Sequence, residues 1–230
     1  MPLSRHPQFP EIVKAPETPD DVVTIDDERL AQAEKFIEED EGATSRFRGW
    51  LGTLTTVLLV AMSVFHLYAA VDIVPAQVLR PVHVGFMLLL VFLLFPIAAG
   101  YRNRLMWWDV VCALMGVATI AYLLAGGDDI WDRNTLPSQR DVFFGVMFVL
   151  LVLEACRRTS GWIMLCVVSL FLAYAFVGPW LPGSWQHRGY DVSSMTGFLY
   201  QTLEGIFGTA VDVSSTLIIL FTIYGAFLSQ

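Results

Sequence analysis

Six apolar runs, approximately Trp50–Ala70, Pro81–Ala99, Val110–Ala125, Val142–Cys156, Trp162–Leu181 and Val213–Leu228, leave this chain almost no route to a water-soluble fold. A helix crossing the hydrocarbon of a bilayer takes about 20 residues, with a working range of roughly 17–25. In lipid every backbone N–H and C=O needs a partner, and a helix supplies one within its own segment. Hydrophobic residues make up 55% of the chain and the mean hydropathy is +0.58, too apolar for an ordinary soluble domain. The expected fold class is an all-α membrane protein with about six transmembrane helices. The fourth and sixth runs are short. Arg140, Arg157 and Arg158 bracket the fourth with stems long enough to reach the interfaces, so it counts as a span.

Charge is placed unevenly. Residues 1–45 carry twelve acids against Arg5, Lys14, Arg29 and Lys35, whereas the remaining ten acids are matched by ten bases. The acidic balance therefore describes a tail and not a binding surface, and no nucleic-acid partner is expected. Residues 1–23, rich in Pro, Glu and Asp, predict disorder. Thr24 and Asp27 then predict a capping box opening a short solvated helix, with Leu30, Ala33 and Ile37 on one face. The tail has no apolar leader, so the first run is expected to act as its own insertion signal.

Arg46 and Arg48, Arg102 and Arg104, and Arg157 and Arg158 fall on one side if every run crosses. The other side holds Arg80, Arg133, Arg140 and Arg188, diluted by Asp72, Asp128, Asp129, Asp132, Asp141 and Asp191. That asymmetry predicts a cytoplasmic N-terminus. Trp50, Trp107, Trp108, Trp131, Trp162, Trp180 and Trp185 all lie at run ends or in adjacent loops, as an interfacial aromatic belt does. Between the fifth and sixth runs, Met195–Phe207 places Met195, Phe198, Leu199, Leu203 and Ile206 at helical spacing, which predicts an interfacial amphipathic helix on the outer surface.

Candidate chemistry is sparse. Cys112, Cys156 and Cys166 sit in or beside apolar runs, an odd number without CxxC spacing, and read as packing residues. No HExxH, GxSxG, GxxxxGK[ST] or DxDxDG pattern occurs, so no enzyme activity and no metal site is expected. His66 and His83 stand at similar expected depth near the outer ends of the first two spans. They read either as haem ligands or as interfacial histidines bonded to backbone or water. Glu154 precedes Arg157 and Arg158 by three and four residues, a spacing for local pairing on one helix face. Asp109 sits beside Arg102, Arg104 and the Trp107-Trp108 pair, where a helix N-terminus favours a carboxylate.

The segment from Glu204 to Thr216 is of another kind. Gly205 and Gly208 free the backbone, and Asp212, Ser214, Ser215 and Thr216 lead into an apolar helix. Hydroxyls there either bond the preceding turn of their own helix or face a polar cavity in a transporter core. Glu204, Gly205, Gly208, Ser214, Ser215 and Thr216 are the candidate substrate or ion pathway residues.

The order Glu154-Ala-Cys-Arg-Arg-Thr-Ser-Gly-Trp162, Phe171-Leu-Ala-Tyr-Ala-Phe-Val-Gly-Pro-Trp-Leu-Pro-Gly183, His187-Arg-Gly-Tyr190, Leu199-Tyr-Gln-Thr-Leu-Glu-Gly-Ile-Phe-Gly208, Val213-Ser-Ser-Thr216 and Tyr224-Gly-Ala-Phe-Leu228 resembles a known family. It is similar to the fused membrane subunits of tripartite ATP-independent periplasmic (TRAP) transporters, the type served by TAXI-class binding proteins. The first four runs match that family's small membrane domain by hydropathy and position alone. The resemblance implies uptake of an organic anion such as a dicarboxylate, driven by a sodium or proton gradient, with no other cofactor. It implies a periplasmic solute-binding protein as partner and a multi-pass location in the bacterial inner membrane. On this comparison residues 46–158 form the small scaffold domain and 159–230 begin the large permease domain. The remainder of that domain is then a further partner, and this chain alone is expected not to transport. Two other readings are a haem-binding membrane anchor of a redox enzyme, through His66 and His83, and a non-catalytic membrane scaffold.

Overall fold

Helices make up all the regular structure among the residues that the computed structural model describes, 49–97 and 106–229. They are α1 Trp50–Val71, α2 Ala76–Leu94, α3 Trp107–Ala125, the short α4 Gly127–Asp132, α5 Gln139–Val177, α6 Val192–Tyr200 and α7 Thr209–Leu228. Within α7 the hydrogen-bond pattern widens to a π-helix over Ser214–Ile218. The expected acidic tail, 1–45, and its helix lie outside the described residues. Five helices, α1, α2, α3, α5 with its terminal turn, and α7, are long and apolar enough to cross a membrane. Val57, Val64, Ile163, Phe171, Phe221 and Phe227 are exposed, a display that water would not tolerate and lipid tails solvate. The chain is a multi-pass α-helical membrane protein.

The fourth and fifth expected spans are joined in one 39-residue helix, α5. Drawn straight, that helix would reach about 58 Å, nearly twice a hydrocarbon core of ~30 Å. Gly161 resolves the mismatch. Its φ of 76° and ψ of −172° lie where essentially only glycine goes, and the helix breaks there into two arms. Val146, Leu150 and Leu153 of the first arm line the same apolar cavity, about 270 Å³, as Leu172 and Phe176 of the second. Residues so far apart on one helix can share a cavity only if the chain turns back at the break.

Helix packing here cannot draw on a difference in apolarity between protein and lipid, so close backbone approach matters more. Between α2 and α3 the approach is reciprocal. A Cβ on Gly85 would stand 3.3 Å from Ile120, and one on Gly116 would stand 3.5 Å from Leu88. The core that follows joins Leu88 and Phe92 of α2, Ile120 and Leu123 of α3, Phe148 of α5, Tyr200 of α6 and Phe207 beyond it. Residues on both sides of the expected 158/159 boundary therefore share one core.

The connection between α5 and α7 departs from expectation in its second half. Helix α6 begins at Asp191, whose carboxylate accepts from Ser193 and Ser194 N–H at 3.1 and 3.3 Å and from the Ser194 hydroxyl. Those bonds, the Ser194 hydroxyl foremost, hold Asp191 below the usual carboxylate range. The helix ends at Tyr200 and not at Phe207, and it is not a free surface helix. Thr196, Gly197 and Tyr200 are buried, and the Tyr200 hydroxyl donates to Thr119 O of α3 at 2.5 Å. Burial pushes that phenol far above its ordinary range. Trp131 also departs from the expected belt: it is buried and meets Phe207 edge-on at 6.3 Å. Periodicity marked Met195, Phe198, Leu199, Leu203 and Ile206 as the apolar face and did not single out Tyr200 or Phe207, the two side chains that are fully buried.

Gly145 is the point where α6 rests on the first arm of α5. A Cβ there would overlap the Thr196 methyl and stand 3.1 Å from Tyr200 Cδ1. Gly145→Ala is expected to destabilise the protein by about 1–3 kcal/mol. Gly225→Ala on α7, where no described residue outside its own helix turn lies within 4 Å, is the matched comparison. Thermal unfolding in detergent checks the pair; equal midpoints would reject this packing.

Candidate functional site

Polar side chains cluster where the C-terminal end of α1 and the N-terminal end of α2 meet the start of α7. Arg80 is in the first turns of α2, and its guanidinium takes Asp212 of α7 at 2.9 Å from Nη2 and 3.0 Å from Nε. Its Nη1 donates to Phe207 O at 3.1 Å and reaches Leu203 O at 3.5 Å. One arginine thus ties α2 to the turn leading into α7 and to α7 itself. Gly205 and Gly208 make that turn possible. A Cβ on Gly205 would strike Phe198 O and stand 2.6 Å from Leu199 Cα, and one on Gly208 would stand 3.0 Å from Gly205 O.

One turn along α2 from Arg80, His83 continues the layer. His83 Nδ1 lies 2.9 Å from His66 Nε2, His66 Nδ1 lies 2.7 Å from Met62 O, and His83 Nε2 lies 3.1 Å from Ser214 Oγ. Both rings are buried, at 2% and 4% exposure. The proton positions follow from the acceptor at one end. A carbonyl only accepts, so His66 carries its proton on Nδ1 and, when neutral, accepts on Nε2. His83 must then donate from Nδ1, and its Nε2 accepts from the Ser214 hydroxyl. The result is a one-way chain from Ser214 through His83 and His66 to Met62 O.

This arrangement is not haem ligation. A metal between two imidazole nitrogens holds them about 4 Å apart, twice a metal–nitrogen bond of roughly 2 Å. The separation here is 2.9 Å, a hydrogen bond, and the outward nitrogen of each ring is also engaged. Among the described residues no group of three or more His, Cys, Asp or Glu is placed to hold a metal ion.

The sequence-predicted pathway residues divide. Ser214 joins the histidine chain, whereas Ser215 and Thr216 bond back to Asp212 O of their own helix at 3.1 and 2.7 Å. Gly205 and Gly208 shape the turn, and Glu204, on the same turn, is exposed. Arg80 was missed as a site residue: its partner is 132 positions away, and no local spacing marks it. Gln201 was also missed; it is fully buried, and neither end of its amide has a partner among the described residues. Ser214 opens the π-helix at Ser214–Ile218, which also holds Ser215 and Thr216, and such segments recur at functional sites.

At the opposite end of the bundle, Glu154 pairs with Arg157 and Arg158 as its spacing predicts, at 2.7 and 2.8 Å. Arg158 also binds Asp109 at 2.6 Å and Phe95 O at 3.1 Å. The end of α2, the start of α3 and the end of the first arm of α5 therefore meet on one side, as alternate crossings require. The three cysteines are free. Comparison with family models, with curated proteins and with solved structures finds no match for this chain.

Proposed function

We propose that this chain is a membrane component of a TRAP-type secondary transporter that takes up an organic anion, such as a dicarboxylate, on a sodium or proton gradient. The observation that carries this reading is the polar layer of Arg80, Asp212, His83 and Ser214 at the head of a membrane helix with a π-segment. Ionisable groups in membrane helices are costly and mark substrate or ion routes. Of the layer, Ser214 lies in a segment that carries the sequence resemblance. The proposed partners are a periplasmic TAXI-type binding protein and the rest of the large permease domain. The proposed location is the bacterial inner membrane with the N-terminus in the cytoplasm.

Uptake into proteoliposomes holding this chain, the remaining permease domain and the binding protein tests the proposal. Gradient-dependent uptake that is lost in Arg80→Leu is the expected result. Uptake insensitive to any imposed gradient would overturn it. A non-catalytic scaffold is the second reading, favoured by the core shared across residue 158; co-purification without any uptake would point there. For orientation, a reporter fused after Gly127 is expected to read as periplasmic and one after Arg104 as cytoplasmic. The reverse pattern would turn the assignment over.

A further inference from the structure

We infer that His66 and His83 form a binding site for a single proton, open only on the Ser214 side and closed at Met62. The inference rests on which atom donates at each link and does not depend on the transporter reading. In the neutral chain every link has one donor and one acceptor: Ser214 O–H to His83 Nε2, His83 Nδ1–H to His66 Nε2, His66 Nδ1–H to Met62 O. An added proton has one place to go. Placed on His66 Nε2, it would face His83 Nδ1–H at 2.9 Å, donor against donor. Placed on the lone pair of His83 Nε2, it leaves the other two links intact and reverses only the last. His83 then donates and Ser214 Oγ accepts.

A hydroxyl has a single proton, so Ser214 must turn that proton elsewhere when it becomes an acceptor. Its neighbours Ser215 and Thr216 already direct theirs to the preceding turn of their own helix. Proton capture therefore rewrites the bond that holds the π-segment of α7 to α2. A second proton finds no free lone pair: three of the four ring nitrogens then carry hydrogen, and the fourth, His66 Nε2, is taken by His83 Nδ1–H. Nor can the proton pass through: beyond His66 stands a backbone carbonyl, which accepts a hydrogen bond but does not relay a proton. The dyad stores a proton and does not conduct one.

The surroundings set the charge balance. Arg80, on the same helix as His83, is neutralised by Asp212 from α7. On α1, Tyr68 and the flanking Asp72 are occupied with each other at 2.5 Å. Glu204, on the turn that Arg80 grips, is exposed. The remainder of α7 from Val213 onward carries no charged residue among those described. A proton on His83 thus raises the layer by one whole positive charge, with Asp212 the nearest counter-charge supplied by the facing helix.

Nitrogen NMR of the ¹⁵N-histidine-labelled full chain in detergent tests this, with His6→Gln and His187→Gln to leave the dyad alone. At about pH 8 both rings are expected as Nδ1–H tautomers, with a scalar coupling between His83 Nδ1 and His66 Nε2. On acidification towards about pH 4 the pair is expected to gain one proton, at His83 Nε2. Ser214→Ala removes the acceptor of the charged form and is expected to lower proton affinity about tenfold, one pH unit. Ser63→Ala, whose hydroxyl bonds its own helix at 3.0 Å, is expected to change nothing. An Nε2–H tautomer at His66, two imidazolium rings together, or no uptake before the chain unfolds would each overturn the inference.

Discussion

Arg158→Met is expected to destabilise the protein by about 3–5 kcal/mol, the usual cost of leaving a buried charge without its partner. The Arg158 side chain is 1% exposed and Asp109 is 3% exposed. The guanidinium divides its donors among Asp109 at 2.6 Å, Phe95 O at 3.1 Å and Glu154 at 2.8 Å, and lies 4.9 Å over the Phe92 ring. Methionine fills much of the volume but supplies none of those bonds. Glu154 keeps Arg157 at 2.7 Å and loses least. Asp109 loses its only cation among the described residues, which makes it the group that carries the penalty. Adding Asp109→Asn to Arg158→Met is therefore expected to recover a large share, because a neutral amide is cheaper to leave buried. Thermal unfolding in detergent reads all three variants. If the double variant is as unstable as the sum of the singles, the two residues are not coupled and the account fails.

Asp141→Ala is the second large effect, expected near 3 kcal/mol and below Arg158→Met. The Asp141 carboxylate is fully buried and accepts from Arg133 Nε and Nη2 at 2.7 and 3.0 Å, from the Tyr122 hydroxyl at 2.6 Å and from Ser138 N–H at 2.8 Å. Alanine strands the donors of α3, of the loop and of the start of α5 at once. The loss is smaller than at Arg158 because the Arg133 side chain is 39% exposed and regains water. Ser138→Ala, which removes only the hydroxyl accepting from Asp141 N–H at 3.3 Å, is expected to cost about 1 kcal/mol. A larger loss at Ser138 than at Asp141 would show that the helix cap, and not the network, holds this end. Together the two sites clamp the first arm of α5 at both ends, with Gly145 pressed against α6 between them.

Legibility in the sequence followed the range of the interaction. The Glu154 pairing with Arg157 and Arg158 was readable because partners three and four residues apart share a helix face wherever the helix lies. The Asp109 partner was not, because Arg158 is 49 residues away. Depth along the spans placed His66 and His83 at one level, but depth does not distinguish two rings bonded to each other from two rings held apart by iron. The hydroxyls divided in the same way. Back-bonding by Ser215 and Thr216 is local and was one of the stated readings, while the reach of Ser214 to His83 needs a helix 131 residues distant.

By itself, the sequence determined that the chain belongs in a bilayer, where its apolar runs lie and which residues can pair within a turn. Those outcomes depend on apolar length and helical periodicity, which act within a segment. Only the tertiary structure decided that Gly161 breaks α5 into two arms, that Tyr200 and Phe207 enter the core, and that Arg80, His66, His83, Asp212 and Ser214 form one layer. Lipid and protein interior are equally apolar, so hydropathy does not choose between them. That choice is made by close backbone contacts and by polar groups that must find one another across helices, and neither has a period in the sequence.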